Sequence, residues 1–196
     1  MATGHTDPQR CERILTAALD LIAEEGTAEV PHRKIAACAD VPLGSMTYHF
    51  SGIDEVLREA FRHFTGHIVA LFDEHLAAPA DADRAREAVA GLIHALSDGS
   101  RRDLILTQEP YTLAARQPSY RELTHERMAR SRSHLEKHFD PDAARQLDAL
   151  IEGLTLHCAL ATKPHDRLLT LDAVTRITGF SGATARSYPA DHVAAQ

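Results

Sequence analysis

Apolar residues recur every three or four positions along almost the whole chain, and the interruptions mark where helices stop. Between Arg10 and Glu25 the apolar set is Ile14, Leu15, Ala18, Leu19, Leu21 and Ile22, one broad helical face. Gly26 stands where a left-handed C-cap belongs and closes this first helix. Pro31 can open a second, short helix to about Ala39, because its missing N–H would have no partner in the first turn. Pro42 does the same for a third, "PLGSMTYHF", whose Met46 and Phe50 lie four apart on one buried face. Three short helices within fifty residues, the last two joined by a tight turn, predict a helix-turn-helix.

From Asp54 to Leu76 a long helix carries acids in its first turn and a stripe of Val56, Leu57, Ala60, Phe61, Phe64, Ile68, Leu71 and Phe72. Further helices are predicted over roughly 81–97, 101–115, 119–139, 141–162 and 165–179, punctuated by Gly99, Pro118, Pro141 and Pro164. Pro110 either kinks the 101–115 helix or starts a new one. No segment alternates at the strand period for long. The expected fold is therefore all-α with about nine helices, a helix-turn-helix domain over residues 1–52 and a helical bundle over 53–196. The stretch 181–196 lacks an apolar period and is expected to be a flexible tail.

Composition narrows the function. The apolar share of 44% and the charged share of 25% suit a globular chain rather than a disordered one. Cys11, Cys38 and Cys158 lie far apart without a C-x-x-C, so neither a disulfide framework nor a zinc knuckle is indicated. No run approaches the ~18 apolar residues of a membrane span and no leader is evident, so a cytoplasmic protein without membrane contact is expected. A net charge of −7 excludes a protein that coats nucleic acid and leaves room only for a local contact surface.

The stretch "KIAACADVPLGSMTYHF" followed by "DEVL" resembles the N-terminal signature of the TetR family of transcriptional regulators. The resemblance rests on the Gly26 to Ile35 spacing, on Ile35-Ala36, Val41 and Gly44, and on the ending Tyr48-His49-Phe50. It covers about the first sixty residues. "EGLTLHCAL" further along is similar to the penultimate helix of such proteins. The resemblance implies a DNA-binding head, a small-molecule effector bound in the C-terminal helices and a homodimer, with no cofactor. The expected mode is a repressor released by its effector.

The second helix of a helix-turn-helix offers its N-terminal residues to base edges in the major groove. Here those are Leu43, Gly44, Ser45 and Thr47. Leu43 can touch a thymine methyl, Gly44 lets the backbone come close, and the two hydroxyls can bond several edges. Tyr48, His49, His32, Arg33 and Lys34 are the expected phosphate contacts. The chain departs from the family in having Pro31 for threonine, Asp40 for glycine, Pro42 for serine, Thr47 for an aromatic and Ile53 near a usual lysine. Between Met1 and Phe50 the bases are Arg10, Arg13, Arg33 and Lys34 and the acids Asp7, Glu12, Asp20, Glu24, Glu25, Glu29 and Asp40, a net −3. Such a head implies a shallow salt dependence of DNA binding, or help from protonated histidines.

A bundle of amphipathic helices can enclose a ligand cavity. Expected lining residues are Phe61, Phe64 and Ile68, then Leu92 and Leu96, then Leu106, Gln108, Glu109 and Tyr111, then Met128, Ser131 and Leu135, and finally Leu154 and His157. The last two helices carry regular stripes, Leu147, Leu150, Ile151 and Leu154, then Leu168, Leu171, Val174 and Ile177, which can pair with a second copy. A two-fold dimer implies a double-stranded DNA operator with inverted half-sites.

Two alternatives remain at this stage. His63 with His67, and His134 with His138, sit four apart and could serve a metal-responsive regulator, although no metal site is assigned. A helical module that has lost DNA binding is the other. An enzyme is not expected: there is no G-x-S-x-G, P-loop or G-x-G-x-x-G, and the H-E-x-x-H pattern fails at Ala129.

Overall fold

The computed structural model describes residues 8–179. They form nine α-helices: α1 (Pro8–Glu25), α2 (His32–Cys38), α3 (Leu43–His49), α4 (Ile53–Leu76), α5 (Ala82–Ser97), α6 (Arg101–Arg116), α7 (Arg121–Leu135), α8 (Pro141–Leu160) and α9 (Arg167–Gly179). The all-α expectation holds, and the proposed tail at 181–196 lies outside the described residues.

Each helix end has a local cause. Gly26 takes φ 81°, a conformation that costs glycine little, and its N–H donates to the Ile22 carbonyl at 2.9 Å. Pro31 and Pro42 stand one position earlier than predicted. They are extended N-caps (ψ 155° and 140°) whose carbonyls accept the first bonds of α2 and α3, from Ile35 N–H at 3.3 Å and Ser45 N–H at 2.8 Å. The turn between α2 and α3 closes through Val41 N–H on the Ala36 carbonyl at 3.0 Å, with Asp40 left-handed at φ 51°. This is the six-to-one closure that usually carries glycine.

Ile53 starts α4 one residue before the predicted Asp54. The Glu55 carboxylate accepts from both the N–H and the hydroxyl of Ser51 at 2.6 Å, and these bonds hold it below the usual glutamate range. Asp81 caps α5, and Ser100 with Asp103 forms a reciprocal capping box on α6. Asp140 caps α8, accepting from Asp142 and Ala143 N–H. α6 runs unbroken through Pro110, which takes no i−4 bond there. The predicted 119–139 helix is shorter: a 3₁₀ turn at Pro118–Tyr120 precedes α7, and Glu136 caps it at Leu135.

A single apolar core links both ends of the molecule. Ile14, Ile22, Ile35 and Met46 fill the N-terminal helices, and Val56 and Phe61 of α4 carry the packing on to Leu92, Ile93, Leu106, Leu135 and Leu147. α1 packs on α4 and α6, while α5 lies against α8 and α9. Among the described residues no helix is long and apolar enough to cross a membrane.

Candidate DNA-reading surface and ligand cavity

α3 presents one face to solvent. Leu43 is 51% and Tyr48 75% exposed, large values for such side chains, and Gly44 and Thr47 are exposed beside them. A Cβ placed on Gly44 would meet nothing within 4 Å, so this position is open toward any approaching surface. Thr47 donates its hydroxyl to the Gly44 carbonyl at 3.1 Å, which leaves the oxygen free to accept. Tyr48 and His49 stack edge to face, ring centres 5.0 Å apart. Ser45, expected among the base contacts, is instead 9% exposed beside the fully buried Met46. Helical spacing explains the correction, because the inward face of α3 that buries Met46 takes its preceding neighbour with it.

The expected phosphate contacts differ among themselves. Arg33 is exposed at the start of α2. Lys34 is held by the Glu25 carboxylate at the end of α1. The Nε2 of His32 is buried without a hydrogen-bond partner, so His32 does not offer that nitrogen to solvent.

A cavity of about 220 Å³ opens between α4, α5, α6, α7 and α8. Its walls are chiefly apolar: Ile68, Leu71 and Phe72 of α4, Leu96 of α5, Leu104 of α6 and Ile151 of α8. Of the expected lining residues, Ile68, Leu96 and Ser131 are there. Leu92, Leu106 and Leu135 are fully buried core, Phe61 is buried with them, and Phe64 borders a separate hollow with His63 and Arg102. Gln108, Glu109, Tyr111, Met128, Leu154 and His157 stand outside this lining, His157 on the exposed side of α8.

At its polar end the cavity meets Arg127 and Glu152, joined by a 2.7 Å ion pair. Arg127 also donates to the Thr107 carbonyl at 3.0 Å, and its guanidinium lies 5.3 Å from the centre of the Tyr111 ring. Burial pushes the Glu152 carboxyl above the usual range against the pull of Arg127, with nearby Asp148 adding to the rise. Asp148 is also raised by burial, although Ser131, Arg132 and Arg127 oppose it. Burial likewise raises the Tyr111 phenol. Thr155 lines the cavity with its hydroxyl buried and unpartnered. Asp148, Glu152 and Thr155 escaped the sequence expectations, yet a signal existed. They recur at i, i+4 and i+7, a polar line beside the apolar stripe of α8.

The cavity is tied to the reading head through α6. Asp103 lines it and caps α6, while the adjacent Arg102 reaches α1, its Nε and Nη2 both on Asp20 at 2.8 and 2.7 Å. A second tie runs from Tyr120, whose buried hydroxyl donates to Asp54 at 3.2 Å near the start of α4. Burial and that carboxylate push the Tyr120 phenol up to about 12.

On the stripes of α8 and α9, Leu147, Ile151 and Val174 are spent in the protomer's own core. Leu150, Leu154, Leu171 and Ile177 are half-buried, and Leu168 is 72% exposed. Leu160 and Leu169, absent from the expected set, are exposed as well. Both flank the α8–α9 junction, where the period breaks and a stripe search loses them. Among the described residues no group of three or more His, Cys, Asp or Glu side chains is placed to hold a metal. His134 bonds Asp73 and the Arg130 carbonyl, and His138 bonds the Leu76 carbonyl.

A helix-turn-helix with an open α3 face, joined through shared helices to an internal cavity, defines a ligand-binding transcriptional regulator. Residues 14–60 match the model of the bacterial regulatory proteins, tetR family, and residues 80–179 match the tetracyclin repressor-like C-terminal domain. The chain belongs to the TetR family of transcriptional regulators. It is 74% identical to the transcriptional regulator SCO7518 of Streptomyces coelicolor A3(2), over 87% of this chain and 99% of that one, with a TM-score of 0.84. The multidrug-binding protein EbrR, solved with malachite green, is 29% identical over 87% of this chain and 99% of its own, at a TM-score of 0.75. The HTH-type regulator BetI of Burkholderia thailandensis is 29% identical over 80% of this chain and 85% of its own. The family is one of transcriptional regulators and does not consist of enzymes.

Proposed function

We propose that the protein is a cytoplasmic repressor that binds its operator as a homodimer and is released when a small organic molecule fills the cavity. In this proposal residues 1–52 read DNA and 53–196 bind the effector and pair the two copies. The observation that carries it is the continuity from cavity to head: Asp103 and Arg102 are adjacent in α6, one on the cavity wall and the other gripping α1.

Leu43, Gly44, Thr47 and Tyr48 face the major groove, and Arg33, Lys34 and His49 meet phosphates. Lys34 must exchange Glu25 for phosphate on binding. The exposed Leu160, Leu168 and Leu169, with Leu150, Leu154, Leu171 and Ile177 behind them, supply the apolar face of the dimer. Two heads related by a two-fold axis then read inverted half-sites centred ~34–36 Å apart or a multiple of that. The EbrR structures with imidazole, ethidium, malachite green and proflavin make aromatic compounds the first effectors to try.

The test is a titration of labelled promoter DNA at two salt concentrations, repeated with aromatic compounds present, beside sedimentation of the free protein. Saturable binding that survives random DNA, by a dimer, and that weakens with compound is expected. A monomer, or tighter binding with every compound that occupies the cavity, rejects the proposal.

A further inference from the structure

Two acidic side chains, Asp103 and Glu152, line the cavity against one arginine, Arg127. Asp148, buried but off the cavity wall, lies one turn before Glu152 on α8. The single basic group in hydrogen-bond contact with Glu152 is Arg127, and Arg127 is divided: one Nη donates to Glu152, the other to the Thr107 carbonyl, and the Tyr111 ring covers the guanidinium. The Asp148 and Glu152 carboxyls both remain above their usual range in spite of it, burial being the main cause. A buried carboxylate without adequate positive charge carries a desolvation cost that an arriving cation lowers. An arriving anion would face the Asp103 and Glu152 carboxyls and would have to strip Arg127 from both its acceptors.

We propose that the cavity takes a compact lipophilic organic cation, an amine or amidinium on an apolar body, whose charge is met by Glu152 in place of Arg127. This inference rests on the cavity's being the effector site. The apolar walls suit the body, and at about 220 Å³ the space lies below the ~300–1,000 Å³ usual for drug-sized ligands, which sets the compactness. Thr155, whose buried hydroxyl lacks a partner on the same wall, supplies a further hydrogen bond to the ligand's polar end.

Arg127 then acts as a resident stand-in for the cation. It keeps Glu152 partnered while the cavity is empty, and competes with the ligand for it. Two substitutions on one ion pair therefore shift cation binding in opposite directions. Loss of the acceptor weakens it, and loss of the competitor strengthens it.

The experiment uses the full chain without DNA, titrated at mildly alkaline pH with proflavin, a planar cation, and with acridine, the same three-ring body uncharged. A neutral fluorescent naphthylamine probe reports the cavity independently. The native protein is expected to bind proflavin more tightly than acridine. Glu152→Gln is expected to weaken proflavin about tenfold or more, the scale of a lost charge-assisted hydrogen bond, and to leave acridine unchanged. Arg127→Gln is expected to tighten proflavin, and Arg127→Met serves if the first variant unfolds. Equal binding of the two dyes, or a Glu152→Gln protein that keeps its preference, overturns the cation while leaving the cavity as effector site. Failure of the naphthylamine and both dyes to bind overturns the cavity itself, and this inference with it.

Discussion

Asp40 shows how one residue can be legible in sequence and still need the structure to explain it. The sequence marks it as a departure from a family glycine, and the structure gives the reason for the glycine: a left-handed φ of 51° at the closure between α2 and α3. Asp tolerates this region better than most side chains, but at a cost that glycine avoids. Asp40→Gly should raise stability by about 0.5–1 kcal/mol, read by urea unfolding, and should tighten operator binding more at low salt than at high, read by anisotropy. Asp148 was illegible because an acid on a helix is ordinarily solvated. Its burial makes a pH prediction. The folded state holds the Asp148 proton more tightly than the unfolded state, so folding gains as pH falls through the raised value toward the ordinary aspartate range, and loses as pH rises. Asp148→Asn removes that loss and keeps a bond to Ser131. Its melting temperature should exceed the native one near neutral pH, with the gap closing as the solution is acidified.

At the scale of the element, helix existence was readable throughout and helix ends less so. The prolines at 31 and 42 were seen as helix openers, but an extended N-cap and a first-turn position look alike in sequence. The inward turn of Ser45 likewise depends on where α3 starts, a single-residue matter. Gly44 is the second residue of this short helix, in its first turn, where glycine costs at most roughly 0.5–1 kcal/mol relative to alanine, and its Cβ position is empty. Gly44→Ala should therefore stabilise the protein by up to that amount while weakening operator binding, because the added methyl stands on the face offered to DNA. Unfolding and DNA titration of the same preparation check both signs.

For the whole molecule, the fold class and the helix-turn-helix head were evident from periodicity and one motif, whereas the cavity was not. Leu92, Leu106 and Leu135 have the same spacing signature as true lining residues, and only packing separates a core leucine from one at a void. One link between cavity and head is the Arg102–Asp20 pair, one acid and one base separated by 82 positions. Arg102→Gln and Asp20→Asn should each leave effector affinity within about twofold and DNA affinity little changed, yet remove much of a coupling that is typically ~1–3 kcal/mol. Release curves of labelled operator against effector measure this, and linkage requires that DNA weaken effector binding by the same factor.

The acidic surface of the reading head has a kinetic side. With four basic against seven acidic side chains up to Phe50, and Lys34 already engaged by Glu25, the long-range field repels random duplex rather than drawing it in. Sliding along random duplex should then be brief, with encounters at the operator coming from three-dimensional diffusion. Occupancy of the operator is governed by how many copies the cell holds and by short-range fit at α3. Control exerted in this way stays nearly constant when the salt content of the cell swings.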